Sequence, residues 1–129
     1  MKRTSKDYVC PFCFYPVEKC KCELYPQGLI LIDEPMQYAI QKLNEHGYKT
    51  IDCCAGHEED KIKNTYLSFY VKPECQYIPN GFAWEKHHGF VLRYIYNCKD
   101  IEQFLEEQKI VIDNLNRWVD DLCADRNVQ

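Results

Sequence analysis

Four cysteines within thirteen residues constrain this chain more than any other feature: Cys10-x-x-Cys13, six residues, then Cys20-x-Cys22. Zinc takes four tetrahedral soft ligands, and thiolates at about 2.3 Å meet that need. Two close pairs can wrap one ion with little chain to order. A segment this short cannot build a core of its own, so the metal would supply its fold. The pattern therefore predicts one structural zinc ion on Cys10, Cys13, Cys20 and Cys22, closed to water because four thiolates fill the sphere. Pro11, Phe12, Phe14 and Tyr15 suit a knuckle packed against a body. Glycine commonly follows the second cysteine of such knuckles; Phe14 stands there, which predicts a distorted turn. A disulfide pair or free thiols are the other readings of the same residues.

The compartment reading follows from the whole cysteine count. Nine cysteines is an odd number, and Met-Lys-Arg-Thr-Ser-Lys-Asp at the start has no apolar run behind it. No secretory leader is expected, and no stretch approaches the ~18 apolar residues of a membrane span. A cytoplasmic, membrane-free protein with thiols in metal ligation is the consistent picture. Residues 1–22 carry Lys2, Arg3, Lys6, Lys19 and Lys21 against Asp7 and Glu18, while the whole chain has a net charge of −4. An acidic body is a poor non-specific nucleic-acid surface; a small basic contact at the knuckle end stays open.

At 129 residues and 46% hydrophobic content, the chain suits one folded domain. Residues 1–27 read as zinc knuckle and linker, and 28–129 as an α/β domain. Asp33 to His46 has helical spacing, with Asp33 as cap, Pro35 in the first turn, Met36, Ile40 and Leu43 on one face, and Gly47 as the stop. Tyr48 to Cys54, Thr65 to Val71 and Phe90 to Tyr96 read as strands. Lys72 to Gly89 reads as an irregular excursion, because Pro73, Pro79 and Asn80-Gly81 carry turn chemistry. Asp100 to Cys123 reads as a long helix opened by Asp100 and Gln103 in the manner of a capping box. Its apolar face, Ile101, Leu105, Ile112, Leu115, Val119 and Leu122 widened by Phe104, Val111 and Trp118, suits packing on a sheet. Polar Gln108 inside that seam also leaves open a homodimer contact through this helix. The fold class expected is α/β (α+β): a small mixed sheet packed by two helices, with the zinc knuckle in front.

The second region of chemical interest is Cys53-Cys54-Ala55-Gly56-His57, at the carboxyl end of a predicted strand, where open α/β sheets tend to bind ligands. Gly56 permits close backbone approach, and His57 titrates near neutral pH in its ordinary state. Trp84, His87 and His88 lie on an aromatic loop that could fold over it. Four readings compete. Cys54-x-x-His57 has ligand spacing, and Cys75, His87 or His88 could complete a second metal site. Cys53 or Cys54 could be a nucleophile with a histidine base, although no thiol-enzyme signature flanks them. Cys54, Gly56, His57, Trp84, His87 and His88 could line a pocket for a nucleotide, modified base or RNA segment. Or the cysteines are small buried hydrophobes. Adjacent strand residues face opposite ways, so one cysteine at most serves any pocket.

Asp33-Glu34, Leu43-Asn44, Thr50, Cys54-Ala55-Gly56-His57 and Phe90-Val91-Leu92-Arg93-Tyr94 together resemble, at the level of fold, the tRNA wybutosine-synthesising methyltransferase family. That family has an acidic pair opening a helix, a Leu-Asn near its end, a Thr-bearing strand, and a Cys-Ser/Ala-Gly-Arg turn. The resemblance implies an α/β fold and a ligand-binding strand end. His57 stands where the family has arginine, Cys53 where it has serine, and the chain is shorter, so methyl transfer does not come with it. The leading expectation is a zinc-binding α/β protein that binds a nucleotide, modified base or RNA segment at the Cys53–His57 turn. The alternative is a regulatory or protein-interaction protein acting through the knuckle or the last helix. Whether it is an enzyme stays open, and a transferase or metal-dependent activity would be the form.

Overall fold

The computed structural model describes residues 7–11, 13–16, 19, 20 and 30–127. In chain order the elements are β1 (Tyr8–Val9), β2 (Ile30–Leu31), α1 (Glu34–Glu45), β3 (Thr50–Cys54), β4 (Asn64–Phe69), β5 (Ala83–His87), β6 (Gly89–Ile95) and α2 (Ile101–Asn127). β1 and β2 form a two-stranded antiparallel pair, and the other strands form a sheet ordered β3-β4-β6-β5. The fold is α/β with two helices, as expected, but every strand pair is antiparallel, so the sheet is not mixed.

Helix α1 follows the apolar spacing read from the sequence: Met36, Ala39, Ile40 and Leu43 are buried. Pro35 occupies the first turn, where its missing N–H costs nothing. Gly47 ends the helix at φ 87°, and Tyr48 N donates to Leu43 O at 2.8 Å. Asp33 sits at the cap position yet makes no capping hydrogen bond; its carboxylate is used elsewhere, as described below.

The strand pattern departs from expectation in one place. The stretch taken for an irregular excursion contains β5, which pairs with β6 from Ala83↔Arg93 to His87↔Gly89. The hairpin closes at Gly89, whose φ of 117° favours glycine and whose added Cβ would lie 2.8 Å from Phe69 O. Trp84-Glu85-Lys86-His87 lacks a clean apolar alternation, so strand periodicity could not mark it.

Helix α2 opens as its capping residues predict. Gln103 N donates to Asp100 Oδ1 at 2.8 Å, while Gln103 Oε1 accepts from Lys99 N at 2.7 Å, one residue earlier than in the usual box. Phe104, Val111, Leu115, Trp118, Val119 and Leu122 are buried in the core with Leu67, Phe69 and Leu92 of the sheet. Trp118 Nε1 donates to Tyr77 O at 2.8 Å and meets Phe69 edge-on at 6.4 Å. Buried Gln108 has its partners inside the molecule, while Ile101 at the start of the seam is exposed. Lys42 of α1 reaches Asp120 of α2 at 2.7 Å across the partly exposed edge of the helix pair, a contact of small worth in water.

Candidate metal centre and the Cys54–His57 turn

The N-terminal segment is tied to the body at several points. Val9 is fully buried in the core, β1 pairs with β2, and Ile32 N donates to Asp7 O at 2.7 Å. Glu34 N donates to Asp7 Oδ1 at 2.6 Å, Gln41 Nε2 to Phe14 O at 2.8 Å, and Tyr15 OH to Glu45 Oε1 at 3.0 Å. These bonds hold the segment against α1 and its lead-in.

Within it, Cys10, Cys13 and Cys20 bring their sulfur atoms within 4.8 Å of one another. The chain turns back on itself to do so: Phe14 N donates to Cys10 O at 2.8 Å and Cys10 N to Tyr15 O at 2.9 Å. Phe14 takes φ 61°, the left-handed conformation that glycine would take without strain. The turn keeps the backbone course of a knuckle at a cost of about 1–2 kcal/mol. Phe14 packs against the core, which offsets part of that cost. No disulfide joins the described cysteines. The three sulfurs can hold a metal ion; Cys22, the fourth expected ligand, lies outside the described residues.

At the end of β3 the two adjacent thiols diverge, as strand geometry requires. Cys53 packs against the core, where burial, followed by the charges of Asp33 and Asp52, pushes its thiol far above the ordinary range. Cys54 lies beside Asp33 and His57, the ligand atoms of all three falling within 4.8 Å of one another. Burial raises the Cys54 thiol to about 11, opposed by the Gly56 N–H that donates to its sulfur at 3.3 Å. Burial thus favours the protonated thiol at both positions when no cation lies beside them.

The turn itself is tightly clamped. Gly56 has φ 96°, and a Cβ there would sit 3.0 Å from Asn64 O. Ala55 O accepts from Thr65 Oγ1 at 2.7 Å and from Gln108 Nε2 at 2.6 Å; Gly56 O accepts from Gln108 Nε2 at 3.0 Å. Asp33 Oδ2 accepts from Ala55 N at 2.8 Å. His57 is 6% exposed, and neither ring nitrogen has a hydrogen-bond partner among the described residues. Its Nε2 lies 3.2 Å from Asp33 Oδ2 without hydrogen-bond geometry.

The aromatic loop does not close over this turn. In the sheet order, Trp84 on β5 lies three strands from Cys53 in the same cross-strand row, about 14 Å at ~4.8 Å per strand. Trp84 packs on Phe69 instead, with ring centroids 6.0 Å apart. His87 and His88 lie at the hairpin end, in register with the start of β3 rather than with Cys54. His87 Nε2 bonds to Glu85 Oε1 at 3.0 Å, and Cys75 is exposed on the preceding loop. None of Cys75, His87 or His88 joins Cys54 and His57 in one cluster. Asp33 and Gln108 do meet at the turn. Asp33 had a signal in the acidic pair that opens α1, and Gln108 had one in being the polar residue of an apolar seam.

Among the described residues no helix is long and apolar enough to cross a membrane. Compared with models of known protein families, with curated proteins and with solved structures, the chain matches none.

Proposed function

We propose that this is a zinc-binding protein whose N-terminal knuckle, Cys10, Cys13, Cys20 and Cys22, holds one structural zinc ion and docks on α1. The observation that carries the reading is the convergence of three sulfur atoms within 4.8 Å, reached through a turn that puts Phe14 in the left-handed region. Thiolate sulfur selects zinc over hard cations such as calcium and magnesium. Binding to the folded form alone adds stability that grows with the ion's concentration relative to its Kd. Chelation should therefore lower the thermal midpoint of the whole chain, because Val9 and Asp7 tie the knuckle to the core. A midpoint indifferent to chelator, and to zinc added back, would count against the reading.

A second reading is a nucleotide or RNA segment held beside the Cys54–His57 turn. It draws on a cleft of about 570 Å³ lined by Lys61, Lys63 and Lys99, with Asp100 and Ile101 at the start of α2. Three lysines around one cleft suit a phosphate, while the end of α2 itself is capped by Asp100. Fluorescence anisotropy with a labelled RNA oligomer tests it: Lys63→Glu and Lys99→Glu should weaken binding and flatten its salt dependence. Equal affinities in wild type and both variants would retire it.

A further inference from the structure

We propose that Asp33, Cys54 and His57 form a second metal site, distinct from the knuckle, that takes a divalent transition-metal ion such as zinc and leaves one coordination position open. Three elements supply the ligands: the residue before α1, the last residue of β3 and the turn that follows it. Carboxylate, thiolate and imidazole are the three zinc ligand types, and three protein ligands with a vacant fourth position is the arrangement of reactive rather than structural zinc. The thiolate argues against calcium and magnesium, which take oxygen ligands.

The geometry carries the assignment. Ligands bonded at about 2.0–2.1 Å in a tetrahedron stand roughly 3.3 Å from each other. His57 Nε2 and Asp33 Oδ2 are 3.2 Å apart, and their approach lacks hydrogen-bond geometry. A buried imidazole at this distance from a carboxylate would ordinarily turn to share a proton, since an unsatisfied buried polar group costs about 1–3 kcal/mol. Coordination would satisfy Nε2 in the position it already holds. Cys54 Sγ completes a triad whose ligand atoms lie within 4.8 Å of one another.

The surroundings support the ligands as outer contacts support a metal site. Gly56 N donates to Cys54 Sγ at 3.3 Å, and Ala55 N donates to Asp33 Oδ2 at 2.8 Å. A carboxylate oxygen has two lone pairs, so Oδ2 can accept that bond and still ligate. Gln108 and Thr65 hold the intervening carbonyls, which fixes the spacing between Cys54 and His57.

The test counts metal in two full-length proteins, wild type and His57→Ala, each loaded with zinc, freed of excess and examined by native mass spectrometry. The proposal expects the variant to hold one ion fewer than wild type. Equal counts would overturn it. The knuckle reading is judged separately by the ion that survives in His57→Ala, so the two can fail independently. Should His57→Ala fold poorly, zinc-edge X-ray absorption on the wild type alone decides. A nitrogen or oxygen shell at about 2.0 Å beside the sulfur shell at about 2.3 Å supports the site, and an all-sulfur shell overturns it.

Discussion

Gln108, two turns into α2, places its Nε2 2.6 Å from the carbonyl oxygen of Ala55, tying the long helix to the turn that presents Cys54 and His57. The same amide donates to Gly56 O at 3.0 Å. A buried donor that serves two carbonyls is hard to replace, because its loss leaves acceptors in a dry site.

Gln108→Leu should therefore lower stability by about 1–3 kcal/mol, the cost of stranding a buried polar group. Ala55 O would keep its bond from Thr65 Oγ1, so Gly56 O carries most of the loss. Urea unfolding followed by circular dichroism would measure it. A midpoint within error of wild type would mean that the clamp contributes nothing.

Gly89→Ala should disrupt the β5–β6 hairpin. The residue sits at φ 117°, and the new Cβ would meet Ile51 Cδ1 at 2.7 Å and Phe69 O at 2.8 Å. Ile51 can turn aside, but a backbone oxygen cannot. Strain of this kind costs about 1–3 kcal/mol, and amide exchange in β5 should speed up more than in β3, where pairing is to β4.

The hairpin also marks what was legible in the sequence. Both helices showed themselves through apolar spacing and end signals, because one buried face and a cap suffice to define a helix. β4 and β6 showed themselves because Leu67, Phe69, Val91 and Leu92 are buried. β5 did not, because an edge strand needs no continuous apolar face, and Pro73, Pro79 and Asn80-Gly81 before it suggest only turns. The knuckle was legible because ligand spacing is local. At the turn, the Cys54-x-x-His57 spacing pointed to two of the three groups that the fold brings together. Its partner Asp33 lies more than twenty positions away, and its helix-cap position offered a simpler local role for the carboxylate.

Alkaline unfolding should expose Tyr66. Burial, followed by the Asp52 charge and the hydrogen bond to Asp52 Oδ2 at 3.1 Å, raises its hydroxyl from 10.0 to about 12. The folded state thus keeps its proton while the unfolded chain loses it. The stabilisation is complete below pH 10 and is lost as pH rises through 12. Tyr66→Phe should flatten the fall in stability across that window, read as urea midpoints at successive pH values. A slope identical to wild type would assign the alkaline loss to other groups.

Thiol labelling should follow burial. In chelated protein, iodoacetamide should modify exposed Cys75 well before Cys54, and Cys53 last, because Cys54 is raised to about 11 and Cys53, packed against the core, is raised further. Peptide mapping of the labelled protein reads the order directly. Early labelling of Cys53 would contradict its placement.

Zinc content per chain, in the wild type and in Cys13→Ala/Cys20→Ala purified without chelator, tests the central claim most directly. Both side chains are only partly buried, so the core is left intact. Elemental analysis should find one ion fewer in the double variant, with helical circular dichroism from α1 and α2 retained. Equal zinc in the two proteins would contradict a knuckle metal centre.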